Sequence, residues 1–280
     1  KMRIICKFSS IVVGSQLSSS FYMTQKMINS FALGLPFDPG QDTKNDEIAP
    51  GSNGKNKVKI LHAPSHPAVK GTQEIKRVLT ELAEEGYSFE LVVIEGKSNA
   101  QVLSEIKKCD FVIDQIYCDT PLAGLATEAA WSGKPSLVGG YGLDYLESIM
   151  PSRFWPVSVV CKPDEIKLAL VELITNHQYR KDAGKNAKDF VSKNWSTKKV
   201  AANFKLLIDD AVPADWWFDP MEVVYTAGFG QTLEESSLVI RSLISELGID
   251  SLLLQNRPDL RDRFLELSNY SSKTNGVRDQ

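Results

Sequence analysis

Residues 58–79 read VKILHAPSHPAVKGTQEIKRVL, and this stretch decides the fold. It begins with the short apolar run from Val58 to Leu61, which is typical of a buried strand. A polar turn follows. From Thr72 onward apolar residues recur at helical spacing as far as Leu82, and Gly86 marks the end of the predicted helix. A strand, a turn and a helix in this order indicate the first part of a βαβ unit.

The same alternation continues along the chain. Further strands are predicted at 89–94, 111–113, 136–138 and 157–160, with helices between and after them. These strands are apolar without a polar-apolar alternation, as expected for strands that are covered on both faces. The sequence therefore predicts the α/β class, with a Rossmann-like parallel sheet.

The domain organisation is indicated by a stretch of low apolar content that precedes this region. Residues 36–57 consist mostly of Pro, Gly, Asp, Asn and Lys, which is the composition of a linker. We predict a remnant of a second α/β domain at 1–38, a linker at 39–57, the Rossmann-like domain with closing helices at 58–209 and a helical extension at 210–280. Because the chain opens within a predicted helix, we expect that it starts part-way through a longer protein. The extension is either a docking surface or a helical cap.

The composition of the 280 residues excludes several classes of protein. With 42% hydrophobic and 24% charged residues, the chain is neither disordered nor a coiled coil. Its 32 basic and 35 acidic residues give a net charge of −3, so we expect no nucleic-acid partner. No apolar run reaches the roughly 18 residues of a membrane span, and the four cysteines lack the spacing of a zinc site or disulfide framework. We predict a cytoplasmic protein, free or peripheral to a membrane, without a transmembrane segment.

The loop after the first strand of the Rossmann-like domain carries groups suited to an anion. Ligands of open parallel sheets bind beyond the carboxyl ends of the strands. A helix N-terminus and the charge of Lys70 both favour an anion there, and phosphate is the natural ligand. Alternatively, Lys70 is solvated and His62 is a satisfied core residue. The polar and turn-forming residues of this loop are His62, Ser65, His66, Lys70, Gly71 and Thr72.

A second candidate element is the helix predicted at 121–132, with Thr120 as its N-cap and Gly133 just past its end. Gly124 and Glu128 are four residues apart and share one helical face, where the glycine leaves room for a ligand beside the carboxylate. A carboxylate on so apolar a helix needs partners. These are either the hydroxyls of a ribose or the cation of a Lys or Arg.

Both elements resemble the nucleotide-sugar domain of GT-B-fold glycosyltransferases, in particular the family-4 (group 1) enzymes. The resemblance covers residues 28–209. It rests on the order and spacing of ILHAPSH at 60–66, KGT at 70–72, EAAWSGKP at 128–135 and the helical stretch 179–204.

The resemblance implies the donor-binding half of a retaining transferase that takes a sugar from a nucleoside diphosphate and gives it to a glycan, lipid or protein acceptor. In that family the lysine neutralises the diphosphate and the glutamate binds the ribose, roles that fall on Lys70 and Glu128. Fixed charge and helix-end amides, for which Leu122, Ala123 and Gly124 are the candidates, replace a metal ion. The resemblance thus implies a nucleotide-sugar substrate and no cofactor.

The resemblance thus predicts catalytic roles for Lys70 and Glu128. Besides the helix-end residues Leu122, Ala123 and Gly124, it predicts donor-binding roles for His62, Ser65, His66, Gly71, Thr72 and Gln115. Gln115 follows Asp114 at the end of the third strand, where a base or ribose would be contacted, although a loop residue without a ligand fits the position equally well.

The chain departs from the family pattern in three respects. Thr120 stands where the family usually has a second glutamate, Ser65 and His66 stand where it has an arginine, and Ala123 stands where it has a glycine. These departures keep two alternatives open: a non-catalytic nucleotide-binding or assembly subunit, and a sugar-nucleotide 2-epimerase on the same fold. The chain by itself is expected to bind nucleotide but to transfer sugar poorly or not at all.

Overall fold

The computed structural model describes residues 8–20, 23–37, 57–227 and 231–270. The chain divides into two compact units: unit 1, residues 1–29 with 215–280, and unit 2, residues 30–214. Nearly all of the predicted linker lies outside the described residues, and the predicted boundaries at 38, 57 and 209 stay a prediction.

The strands and helices are labelled in chain order. The described strands are β1 (Val13–Gly14), β2 (Met27–Asn29), β3 (Val58–His62), β4 (Phe89–Val93), β5 (Phe111–Gln115), β6 (Ser136–Gly139), β7 (Val159–Cys161) and β8 (Trp217–Phe218). The described α-helices are α1 (Gln16–Ser19), α2 (Ser30–Leu33), α3 (Pro67–Lys70), α4 (Thr72–Glu84), α5 (Asn99–Lys108), α6 (Gly124–Trp131), α7 (Leu143–Ile149), α8 (Ile166–Thr175), α9 (His177–Asn194), α10 (Thr197–Ile208), α11 (Leu233–Leu247) and α12 (Pro258–Ser268). Short 3-10 helices occupy Ser152–Phe154, Pro163–Glu165, Ala214–Trp216, Pro220–Glu222 and Ile249–Leu252.

Unit 2 is built on a five-stranded sheet in the order β4-β3-β5-β6-β7, in which every neighbouring pair is parallel. Strand β3 lies between β4 and β5, and its middle residue Ile60 pairs with Leu91 of β4 and with Phe111 of β5. The predicted α/β class and parallel sheet are confirmed.

Both faces of this sheet are covered, because successive strand residues point to opposite sides. On one side Ile60 and Phe111 pack against α4 and α8, and on the other Leu61 and Val112 pack against Ile106 of α5 and Ala129 of α6. An apolar layer therefore covers each face of the sheet, and the loops that follow the strands lie at its carboxyl edge.

Unit 1 contains a smaller sheet in the order β1-β2-β8. Strands β1 and β2 are parallel, and β8 joins antiparallel to β2 through the pair Ile28 and Trp217. The region 210–280 is helical over α11 and α12, as predicted, and it also supplies β8 to this sheet.

A buried arginine holds the segments of unit 1 together. Arg257, whose side chain is 4% exposed, donates hydrogen bonds to the carbonyl oxygens of Ser20, Pro220 and Val223 and forms an ion pair of 2.8 Å with Asp259. One guanidinium thus satisfies carbonyls from both sequence segments of the unit.

No helix among the described residues has the length and apolar content needed to cross a membrane.

Candidate functional site

The candidate site lies at the carboxyl edge of the five-stranded sheet, where β3 and β5 end. After β3 the chain forms the single-turn helix α3, turns at Gly71 and enters α4. Gly71 has φ +74°, and a Cβ atom there would lie 2.3 Å from Cγ1 of Ile116, so only glycine fits this turn. The turn places Lys70, the last residue of α3, beside the end of β5.

Lys70 forms two short polar contacts with the end of β5. Its Nζ atom lies 2.7 Å from Oδ1 of Asp114 and donates a hydrogen bond of 2.6 Å to Oε1 of Gln115. The Asp114 side chain is 1% exposed, whereas that of Lys70 is 17% exposed. The ammonium is therefore the outer member of a largely buried ion pair.

An irregularity in β5 explains how two consecutive side chains meet one lysine. In regular strands neighbouring side chains point to opposite faces. Here Ile113 pairs with Leu137 and Gln115 with Val138, so the register shifts at Asp114. Bulges of this kind re-aim side chains next to functional sites.

Helix α6 begins later than the sequence predicted. Its first residue is Gly124 and its N-cap is Ala123, so the predicted start at 121 with Thr120 as N-cap is wrong. The cause is tertiary, because other contacts hold the preceding residues in a turn. The side-chain amide of Gln115 donates hydrogen bonds to the carbonyl oxygens of Cys118 and Thr120, and the backbone N–H of Thr120 donates to the carbonyl oxygen of Cys118.

The corrected start changes which amides lie at the helix end. Of the predicted donors, Leu122 and Ala123 precede the helix and Gly124 is its first residue. The amide of Ala126, in the first turn, donates to Oδ2 of Asp114 at 3.3 Å. One aspartate therefore connects the lysine turn to the beginning of α6, and the donor-binding role of the three predicted amides stays a prediction.

Glu128 lies one turn further along α6, on the same face as Gly124. Gly124 is exposed, and a Cβ atom there would meet nothing within 4 Å, so the space beside the glutamate is open. Oε1 of Glu128 accepts a hydrogen bond of 2.6 Å from Nδ2 of Asn99, the first residue of α5. The partner that the structure supplies is thus an amide, not the Lys or Arg of the alternative interpretation.

Burial raises the pKa of the Glu128 carboxyl. The hydrogen bond from Asn99 acts in the opposite direction, and the negative charge of Asp114 adds to the increase. A partly buried carboxylate that faces open space and accepts one amide hydrogen bond retains lone pairs for the hydroxyls of a ligand.

His62 lies in the core beneath this edge. Its Nδ1 donates to the carbonyl oxygen of Ile113 at 2.8 Å, and its Nε2 accepts from the hydroxyl of Thr72 at 2.8 Å. The imidazole is fully buried, and this burial lowers its pKa. This is the geometry expected of a satisfied core histidine, and the donor contacts predicted for His62 and Thr72 stay a prediction. Ser65 and His66 lie on the exposed part of the loop.

The structure brings several predicted residues to one edge of the sheet and adds others. Lys70 and Gln115 are in direct contact, and Glu128 lies on the helix that Asp114 joins to them. Sequence reasoning missed the ion pair of Asp114 with Lys70 and the role of Asn99. The sequence signal for the ion pair was the carboxylate of Asp114 directly before Gln115 at a strand end. No feature of the sequence indicated Asn99.

The amino-acid sequence is similar to that of a glycosyltransferase. No protein-family model matches the chain. An uncharacterized glycosyltransferase of Methanocaldococcus jannaschii is 24% identical over 184 residues, which are 56% of this chain and 46% of that protein. The chain thus spans about half the length of this relative. The predicted resemblance to glycosyltransferases is confirmed by it, and the narrower assignment to family 4 stays a prediction.

Three solved structures show partial similarity. A TarM mutant of S. aureus, in complex with fondaparinux, alpha-GlcNAc-glycerol and UDP, has a TM-score of 0.41 and 11% identity over 55% of this chain and 36% of that chain. The C-terminal domain of LpcC, a glycosyl transferase group 1 family protein of Francisella tularensis, has a TM-score of 0.37 and 17% identity over 60% and 98%. Anabaena HepE in complex with UDP and glucose has a TM-score of 0.44 and 13% identity over 74% and 64%.

Proposed function

We propose that the protein is a metal-independent, retaining glycosyltransferase that takes its sugar from a nucleoside-diphosphate donor bound at the carboxyl edge of unit 2. The observation that carries the proposal is the position of Lys70, whose ammonium lies at this edge beside Asp114, the residue that also accepts from the first turn of α6. The sequence similarity to a glycosyltransferase supports the same conclusion.

In this proposal, different residues at this edge bind different parts of the donor. Lys70 has three N–H donors, of which Asp114 and Gln115 take two, so one remains for a phosphate oxygen. Glu128 accepts from the ribose hydroxyls across the open space at Gly124. When the bond between the sugar and the diphosphate breaks, negative charge grows on the departing phosphate oxygen, and the fixed charge of Lys70 stabilises it.

The proposal is tested by giving the full-length protein UDP-glucose, GDP-mannose and ADP-glucose and following nucleotide release with and without glycan, lipid and peptide acceptors. We expect release that requires an acceptor. Isomerised sugar would instead show the 2-epimerase, and tight binding without turnover would show the non-catalytic subunit. The latter is the second candidate, because Asp114 already neutralises Lys70 and Thr120 replaces the usual glutamate.

Replacing Glu128 with Gln is expected to weaken ribonucleotide binding about tenfold, because hydrogen bonds to a charged acceptor contribute about 1.5–3 kcal/mol. The loss should be smaller for the 2′-deoxynucleotide, which lacks one of the hydroxyls. Isothermal titration calorimetry with UDP and 2′-deoxy-UDP measures both losses, and Glu84→Gln, at an exposed glutamate on α4, is the control for the change of charge. Equal losses for the two nucleotides would remove the ribose role.

The pH dependence gives a second readout on the same variant. Protonation removes the acceptor that the hydroxyls need, so UDP affinity should fall as the pH falls through the pKa of Glu128. Because burial raises this pKa, the fall should begin at a higher pH than for an ordinary glutamate. A glutamine side chain does not titrate, so this step should be missing from the Glu128→Gln variant.

A further inference from the structure

Asp114 places a negative charge directly beside the positive charge that the proposed donor needs. Its Oδ1 lies 2.7 Å from the Lys70 ammonium, and its Oδ2 accepts from the amide of Ala126 at the start of α6. These are the two elements that a diphosphate would contact, and a carboxylate of the chain itself already bridges them.

The order of burial decides what a ligand meets. Lys70 is the more exposed partner and Asp114 lies behind it. A phosphate that approaches from solvent therefore contacts the ammonium of Lys70, and the carboxylate of Asp114 lies behind that ammonium. Because Coulomb energy falls only inversely with distance, the repulsion from Asp114 cancels a substantial part of the attraction to Lys70.

We propose that Asp114 is a specificity-determining residue that selects ligands by charge: it lowers the affinity of the site for nucleoside diphosphates, and it does so more for the product than for the sugar-nucleotide donor. This inference rests on the proposed function, since it assigns the ligand of Lys70 to the donor's diphosphate. It gives Asp114 a role in product release.

The discrimination follows from the charge of the two ligands. In a sugar nucleotide each phosphate carries one negative charge. After transfer, the terminal phosphate of the product has a further ionisable oxygen, with a pKa near 6 for phosphate monoesters. The repulsion from a fixed carboxylate grows with ligand charge, so the product is penalised more than the donor.

The bulge in β5 supports a role beyond packing. It turns Asp114 and Gln115 toward the same ammonium, so Lys70 keeps a neutral partner when Asp114 is neutralised. Removing the charge of Asp114 should therefore leave the lysine at the site.

The test is Asp114→Asn, which removes the charge and keeps the shape. Titrations with UDP, GDP and ADP, and with the corresponding sugar nucleotides, give the dissociation constants. A charge within roughly 4–6 Å shifts an ionic equilibrium about tenfold or more, so we expect the variant to bind the preferred diphosphate at least about tenfold more tightly. The gain for its sugar nucleotide should be smaller. Asp189→Asn on α9, an exposed aspartate paired with Lys185, changes the net charge equally and should alter neither constant.

The outcomes separate this inference from the function on which it rests. If neither the wild type nor the variant binds any nucleotide, the proposed function fails and the inference fails with it. If the wild type binds and the variant binds no more tightly, only the charge-selecting role is overturned. An equal gain for donor and product overturns the discrimination. Asp114→Ala, also neutral, should reproduce the asparagine result, and it carries the test if the first variant does not fold.

Discussion

Replacement of Lys70 with Met is expected to lower the free energy of unfolding of unit 2 by about 3 kcal/mol. Methionine keeps the aliphatic part of the side chain but leaves Asp114, whose side chain is 1% exposed, without its cation. Removing one partner of a buried ion pair costs about 3–5 kcal/mol, and we expect the low end because Lys70 is partly exposed. Hydrogen exchange of the β3 and β5 amides measures this loss within unit 2.

The double variant separates the buried charge from other effects of the substitution. Lys70→Met combined with Asp114→Asn should recover most of the lost stability, since no uncompensated charge remains. Lys185→Met, at an exposed pair with Asp189, should leave stability essentially unchanged. If the two single losses simply add in the double variant, the pair does not couple and this explanation is incorrect.

Replacement of Arg257 with Met is expected to destabilise unit 1 by about 3 kcal/mol or more. The guanidinium supplies donors to the carbonyl oxygens of Ser20, Pro220 and Val223, and each buried acceptor left without a partner costs about 1–3 kcal/mol. Because the chain has two units, a single unfolding curve would mix them. Hydrogen exchange of the β1, β2 and β8 amides isolates the effect.

The control for this prediction is Arg263→Met. Arg263 lies on α12, is 61% exposed and contacts Glu266. Its replacement should leave the exchange rates of the β1, β2 and β8 amides unchanged. Unaltered protection in the Arg257 variant would show that water replaces the guanidinium at no cost.

The elements of unit 2 were predictable where a local pattern decides them. The apolar run from Val58 and the helical spacing after Thr72 correspond to β3 and α4. The start of α6 was not predictable in this way, because Thr120 is a good N-cap by type, and the turn that displaces the helix start depends on hydrogen bonds from the side chain of Gln115, among others. The two residues of β8 are too few to form a pattern, and their partner lies at the other end of the described chain.

The candidate site was predictable in its residue types but not in its pairings. A lysine before a helix and a glutamate on an apolar helix both indicate ligand chemistry from sequence. That Lys70 contacts Asp114 depends on β3 and β5 being neighbours and on a bulge at one position. That Glu128 contacts Asn99 depends on how α5 and α6 pack on the sheet. These are properties of the assembled fold.

The small sheet of unit 1 has a consequence for biosynthesis. A ribosome makes β1 and β2 before the whole of unit 2, and it makes β8 and the segment that carries Arg257 only afterwards. At roughly 5–20 residues per second, the early strands wait on the order of ten seconds or more for their partner. During translation the nascent chain therefore exposes an unpaired strand edge to chaperones, while the complete unit 2 is already free to fold.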